Sequence, residues 1–202
     1  MERTETVKDI LEREWNMFQN VQNVGGRASC QEDERSFRIM RGAQFAAWSD
    51  DMLASYRQDL MHAEETGHNL LSEKYGYMMQ STFPGEYERI RELLPPVSAE
   101  KEQLVEQILK IELRQTKEFR QMYPNIGKRG RPLTTAEDAG GTSVETYTRG
   151  ELTTYSVETL KKYLHHLKEL EQSNILFPMI VMQETVKANG YSSLDAAEKA
   201  CC

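Results

Sequence analysis

Residues 14–48, EWNMFQNVQNVGGRASCQEDERSFRIMRGAQFAAW, read as the end of one amphipathic helix, a glycine-hinged connection and a second helix. Val7, Ile10, Leu11, Met17, Phe18 and Val21 recur at three- and four-residue steps, which places them on one face of a helix from about Thr4 to Gln22. Gly25-Gly26 ends that helix. The acidic run after Ser29 or Gln31 suits the positive end of the next one, whose inner face carries Phe37, Met40, Phe45 and Trp48. Glu14 interrupts the first apolar stripe, and Arg41 and Gln44 interrupt the second. A carboxylate or guanidinium taken out of water needs a partner. The three residues therefore read either as a structural ion pair between helices or as one wall of a polar cavity.

The same periodicity continues along the chain. Ser49 caps a helix that buries Leu53, Tyr56 and Leu60 and stops at Gly67. Residues Asn69 to Gln80 repeat the pattern, and a short helix from Glu86 to Leu94 ends at Pro95-Pro96. Ser98 begins a long helix to about Met122, with Leu104, Ile108, Ile111, Gln115 and Phe119 on one face and Glu112 at its edge. Pro124, Gly127, Gly130, Pro132, Gly140 and Gly141 then describe an irregular loop of the kind that tends to carry function. Helical spacing resumes at Ser143, with Gly150 bending the start, and a last long helix runs from Pro178 to Gly190. Ser192 or Ser193 caps a terminal one. No period-two alternation marks a strand. The chain reads as all-α, one domain over 1–202 of roughly eight helices, with a long loop at about 123–142 and a short helix over 192–202.

Composition bounds the function. Hydrophobic residues make up 39% and charged residues 28%, enough for a core and against wholesale disorder. A net charge of −7 disfavours broad binding to nucleic acid or anionic membranes. No apolar run approaches the roughly 20 residues that span a bilayer, and the charged start MERTETVKDILERE has no signal-peptide core. A cytoplasmic protein without a membrane partner is expected. Cys30, Cys201 and Cys202 build no disulfide framework; the Cys-Cys ending resembles a double-prenylation signal, but no GxxxxGK[ST] loop accompanies it. Asp59/His62 and Glu65/His68 have the one-turn spacing of helical di-iron sites, yet the second pair runs into Gly67 and no matching carboxylate pair stands out. Neither a metal nor a cofactor is assigned.

Three stretches remain for binding. In GGRASC, residues 25–30, Arg27 and a helix start suit an anion, and Cys30 lacks a nearby His to make it a nucleophile. In GKRGRPLT, residues 127–134, Arg129-Gly130-Arg131-Pro132 matches the core of a minor-groove hook, but without further basic flanks; a loop folded over a site, with Lys128, Arg129 and Arg131 on an anion, fits better. In TSVETYTRGELTTYS, residues 142–156, Glu145/Arg149 and Tyr147/Glu151 are spaced one helical turn apart.

EWNMFQNVQNVGGRASCQ, FRIMRGAQFAAW, NLLSEKYGYMM, GRP and TSVETYTRGELTTYS resemble, in order and spacing, a bacterial family named domain of unknown function 4125. The resemblance covers about residues 5–195 and implies that residues 127–132 belong to a shared domain, which weakens the DNA-hook reading further. It brings no activity and no catalytic residues. Kinship to domains that accompany nucleotidyltransferase-like domains frames one alternative, a noncatalytic module docking on such an enzyme.

The leading expectation is a pocket for a small anionic or polar metabolite, lined by Arg27, Arg41, Gln44, Arg131, Tyr147 and Arg149. If chemistry occurs there, Glu14 or Glu151 is the general acid or base, with a pKa raised by burial. Whether the protein is an enzyme stays open at this point.

Overall fold

A computed structural model describes residues 2–22, 26–137 and 142–201. Among them eleven α-helices occur and no strand. In chain order these are α1 (Arg3–Gln19), α2 (Glu34–Ala46), α3 (Asp50–Thr66), α4 (Leu70–Thr82), α5 (Pro84–Ile90) and α6 (Ala99–Met122). They continue with α7 (Pro124–Lys128), α8 (Val144–Thr154), α9 (Val157–Gln172), α10 (Phe177–Ala188) and α11 (Leu194–Ala200).

Local chemistry sets most boundaries. The side chains of Ser49, Asn69, Ser98, Ser143, Ser156 and Ser193 each accept a hydrogen bond from the backbone N–H three residues on, satisfying a donor that the first helical turn leaves free. Gly67 ends α3 with φ 76°, a left-handed conformation that costs glycine nothing. The start of α2 differs from expectation. Ser29–Glu32 form a 3₁₀ turn, and Asp33 is the cap. Gln31 is turned inward instead: its Nε2 donates to the carbonyls of Phe18 and Val21 at 2.8 and 3.1 Å, closing the end of α1. Gly25, Gly140 and Gly141 lie outside the described residues.

The main core gathers the inner faces of α1, α2, α3, α6, α8 and α9, with Ile10, Phe45, Met52, Leu60, Ile108, Leu160 and Leu167 wholly buried. α4 lies along α8, α6 along α9 and α10 along α2. A second, smaller cluster of Phe119, Ile126, Val186, Leu194 and Ala197 joins the far end of α6 to α7, α10 and α11. It orders part of the segment read as irregular. α7 forms there because Pro124 sits at a first-turn position and the Glu198 carboxylate of α11 accepts from the N–H groups of Asn125 and Ile126 at 2.8 and 2.9 Å. No helix among the described residues is long and apolar enough to cross a membrane.

Gly150 does not bend α8, which runs through it. It is the point of closest approach to α4: a Cβ there would stand 2.5 Å from Met78 Cγ and 2.9 Å from the carbonyl oxygen of Lys74. Gly150→Ala is expected to destabilise the fold by about 1–3 kcal/mol in urea unfolding, because the helices must part. Gly42→Ala on α2, where a Cβ meets nothing within 4 Å, is expected to stabilise by about 0.5–1 kcal/mol through helix propensity. Equal effects at the two positions would refute the close approach.

Candidate functional site

Four charged side chains meet in the interior. Glu14 of α1 is 0% exposed, Arg41 of α2 7%, Lys74 of α4 3% and Glu151 of α8 6%. Each faces inward for the reason visible in the helical register, since it shares a stripe with core residues. Arg41 grips Glu14 with two parallel bonds, Nε to Oε2 at 2.7 Å and Nη2 to Oε1. Its Nη1 donates to Glu151 Oε1 at 2.7 Å and to Gln44 Oε1. Lys74 Nζ donates to the other oxygen of Glu151 at 2.6 Å and stands 3.5 Å from the centre of the Tyr147 ring. Two hydroxyls complete the set: Tyr56 donates to Glu14 at 2.6 Å and Tyr155 to Glu151 at 2.7 Å.

The two carboxylates and two cations cancel, so the buried network carries no net charge. Burial alone would raise the Glu151 pKa, but Arg41 and Lys74 together hold it far below the usual carboxylate range. Burial likewise opposes the charge on Arg41, and Glu14 and Glu151 more than restore it, pushing its pKa well above the ordinary value.

Beside this network lies a cavity of about 290 Å³ between α6, α8, α9 and α10. Its walls are mainly apolar and aromatic: Phe119, Leu152, Tyr155, Tyr163, Phe177 and Val181 among others. Gln44 and Glu151 connect it to the ion network. Arg120, Gly127, Gly130 and Arg131 also line it, and the exposed Gly130 and Arg131 mark its mouth. Arg120 is threaded beneath that segment, with Nη2 donating to the Arg131 carbonyl at 2.7 Å, and a Cβ on Gly127 would fall 2.8 Å from Arg120 Cγ. The Pro132 and Leu133 carbonyls then accept from Val144 and Glu145 at the start of α8, which holds Arg131 beside the Tyr147 ring, 5.2 Å from its centre.

Glu112 of α6 also lines the cavity. Its side chain is half-buried, and its Oε1, like the hydroxyl of Tyr163, is sealed from solvent; the two face each other and have no further partner among the described residues. Tyr163 partly stabilises the charge, but less than burial disfavours it. Burial, reinforced by the charge on Glu151, pushes the Glu112 pKa up to about 7. The same pair raises Tyr163 well above the usual phenol value, through burial first and the Glu112 charge second.

A family profile described as "Protein of unknown function (DUF4125)" matches residues 4–199. The chain belongs to that family. No curated protein and no solved structure matches it.

In this DUF4125 chain the residues singled out by sequence divide into three groups. Gln44, Arg131, Tyr147 and Glu151 line the cavity. Glu14 and Arg41 sit behind that wall and reach it only through Glu151 and Gln44. Arg27 and Arg149 lie elsewhere. Arg27 is exposed and ties the first connection to α1 by donating to the Gln19 and Gln31 carbonyls, each at 3.2 Å. Arg149 pairs with Glu106 and, at 3.2 Å, with Glu145 on the outer side of α8. Lys74 and Glu112 were not singled out, although Glu112 stands at the edge of an apolar stripe, the one available signal. Cys30 is exposed, and His68 pairs with Glu73 at 2.6 Å. Among the described residues no group of three or more His, Cys, Asp or Glu is placed to hold a metal ion.

Two stability predictions follow from these environments. Arg41→Ala leaves Glu14 and Glu151 buried without their shared cation and is expected to cost about 3–5 kcal/mol by chemical denaturation; a loss under about 1 kcal/mol would contradict the network. For Glu112, the folded pKa of about 7 lies above the unfolded value near 4.5, so the native state binds the extra proton between them. Stability therefore falls as pH rises through that window and levels off above it. Glu112→Gln is expected to raise stability above about pH 7 by roughly 1–2 kcal/mol, after solvent screening at its half-buried stem, and to change little below about pH 4.5. A pH-independent difference would show that Glu112 does not titrate as described.

Proposed function

We propose that this chain is a small-molecule-binding domain whose ligand occupies the cavity between α6, α8, α9 and α10. The observation that carries the reading is the combination of an apolar, aromatic chamber with a few convergent polar groups, one of them a carboxyl poised near neutrality. Such a combination is the usual form of a metabolite site. The volume of about 290 Å³ lies at the lower end of ligand pockets and suits a compact amphipathic molecule rather than a nucleotide or polymer.

The polar groups have separate tasks in this proposal. Glu151, Gln44 and Tyr155 form a rigid patch of wall, because Arg41 and Lys74 hold them from behind. Arg131 and Tyr147 border the mouth. The acid–base role assigned by sequence to Glu14 or Glu151 moves to Glu112. Glu151 is kept ionised by two cations and Glu14 does not line the cavity, whereas Glu112 can hold or release a proton near pH 7. A cytoplasmic setting belongs to the same proposal, supported by cysteine usage that builds no disulfide framework.

The test is a thermal-shift screen of the full chain against a library of small polar and amphipathic metabolites, repeated on Thr148→Trp and Thr116→Trp, which fill the cavity from α8 and α6. A binder is expected to raise the melting temperature of the wild type by several degrees and to lose its effect in both variants. Binders that survive both substitutions would place the site elsewhere and end the proposal.

A further inference from the structure

Charge is distributed unevenly around the cavity. The ion network behind it sums to zero, so its inner wall takes its sign from Glu112. From α6 the cavity meets Glu112 and Arg120; from α8 it meets Glu151 and Tyr147. α9 supplies Tyr163 and α2 supplies Gln44, with Arg41 and Lys74 of α4 one layer behind. The α10 contribution is the apolar set Phe177, Pro178, Val181 and Met182. Both cations near the mouth are engaged there, Arg120 on the Arg131 carbonyl and Arg131 against Tyr147.

We propose that the cavity selects an organic ammonium group carried on a compact apolar body, received by Glu112 and the Tyr163 hydroxyl. The inference rests on the cavity being the binding site and names the chemistry of its ligand. Glu112 Oε1 and Tyr163 Oη are buried oxygens that face each other, and neither has a further partner among the described residues. An ammonium offers three donors and no acceptor, and so complements two oxygen acceptors. An incoming carboxylate or phosphate would instead face the Glu112 carboxylate. The rings of Phe119, Tyr155, Tyr163 and Phe177 line the same cavity, and aromatic rings attract cations through their faces. Tyr163 and Phe177 are themselves in ring contact, with centroids 5.6 Å apart, so part of this wall is preformed.

Ammonium binding stabilises ionised Glu112 and lowers its pKa. Binding is therefore linked to proton release, and affinity rises as pH increases through the Glu112 titration, until the amine itself loses its proton. A carboxylate ligand would show the opposite dependence.

The experiment is calorimetric titration of the full chain with hexylamine, phenethylamine, hexanoate and hexanol, in buffers of different ionisation enthalpy, at about pH 6 and about pH 8. Hexylamine or phenethylamine is expected to bind at least about tenfold more tightly than hexanoate or hexanol at the higher pH, with net proton release into the buffer at about pH 6, where free Glu112 still holds its proton, and little release at about pH 8. Glu112→Gln, which is expected to fold at least as stably as the wild type, should abolish that preference and leave weak hexanol binding intact. Tyr163→Phe should reduce amine affinity several-fold while leaving hexanol unchanged. Equal or tighter binding of hexanoate or hexanol, or an amine preference that persists in Glu112→Gln, overturns the ammonium assignment and leaves the cavity as a site of other specificity. If none of the four probes binds, the ammonium assignment falls; if the metabolite screen also yields no binder sensitive to Thr148→Trp, the cavity proposal falls with it.

Discussion

The guanidinium of Arg41 is the point on which the interior depends. It reaches Glu14 on α1 and Glu151 on α8 at once, and through those carboxylates it is linked to Tyr56 on α3, Lys74 on α4 and Tyr155 at the end of α8. Taking four charges out of water is costly, and an apolar cluster of equal volume would often be as stable. An apolar cluster, however, tolerates sliding of one helix against another. A bidentate guanidinium with a second carboxylate on its free nitrogen does not, because each bond has a narrow range of length and direction. The network thus fixes the rotation and height of α1, α2, α4 and α8 relative to one another.

The close contact of α4 and α8 belongs to the same device. Gly150 lets the Lys74 backbone approach α8, and the next residue, Glu151, receives the Lys74 ammonium at 2.6 Å. A side chain at Gly150 would push the two backbones apart and lengthen a buried ion pair. Small residue and buried charge are therefore one constraint expressed at adjacent positions. The side chains that emerge from α8 beyond this contact, Tyr147, Thr148 and Leu152, acquire their places on the cavity wall from it.

Much of this was legible in the sequence. Apolar spacing shows nearly every long helix, and Ser49, Ser98 and Ser143 mark the starts of three of them, because both signals are local. Glu14 and Arg41 were conspicuous as charges on apolar stripes, and burial with a partner is the only inexpensive fate for such groups. Other features depend on contacts distant in sequence. Five residues, Pro124 to Lys128, carry no helical periodicity, and α7 exists because Glu198 and a small apolar cluster reach it from the far end of the chain. Gly127 and Gly130 read as loop formers, but they also make room for Arg120. Arg27 and Arg149 suggested ligand contacts, but both lie outside the cavity, Arg27 on the Gln19 and Gln31 carbonyls and Arg149 on Glu106 and Glu145. Glu112 lay at the edge of a stripe, and its sealing depends on α9 and α10 packing across α6, which no spacing within α6 reveals.

Two carboxyls thus share one cavity under opposite conditions. Glu151 has two cations and a hydroxyl to stabilise its charge, whereas Glu112 has the hydroxyl of Tyr163 facing it and a neighbouring negative charge to contend with. Their pKa values are driven apart, and that separation gives them different chemical capacities: one is a fixed charge and the other a proton carrier near neutrality. The two are also coupled, because the permanent charge on Glu151 is one reason Glu112 resists ionisation. The ion network consequently acts on the cavity twice, once by fixing the geometry of its wall and once by setting the proton affinity of the carboxyl that faces a ligand. A group that enters as a cation removes the second effect by supplying Glu112 with the counter-charge that Arg41 and Lys74 already supply to Glu151.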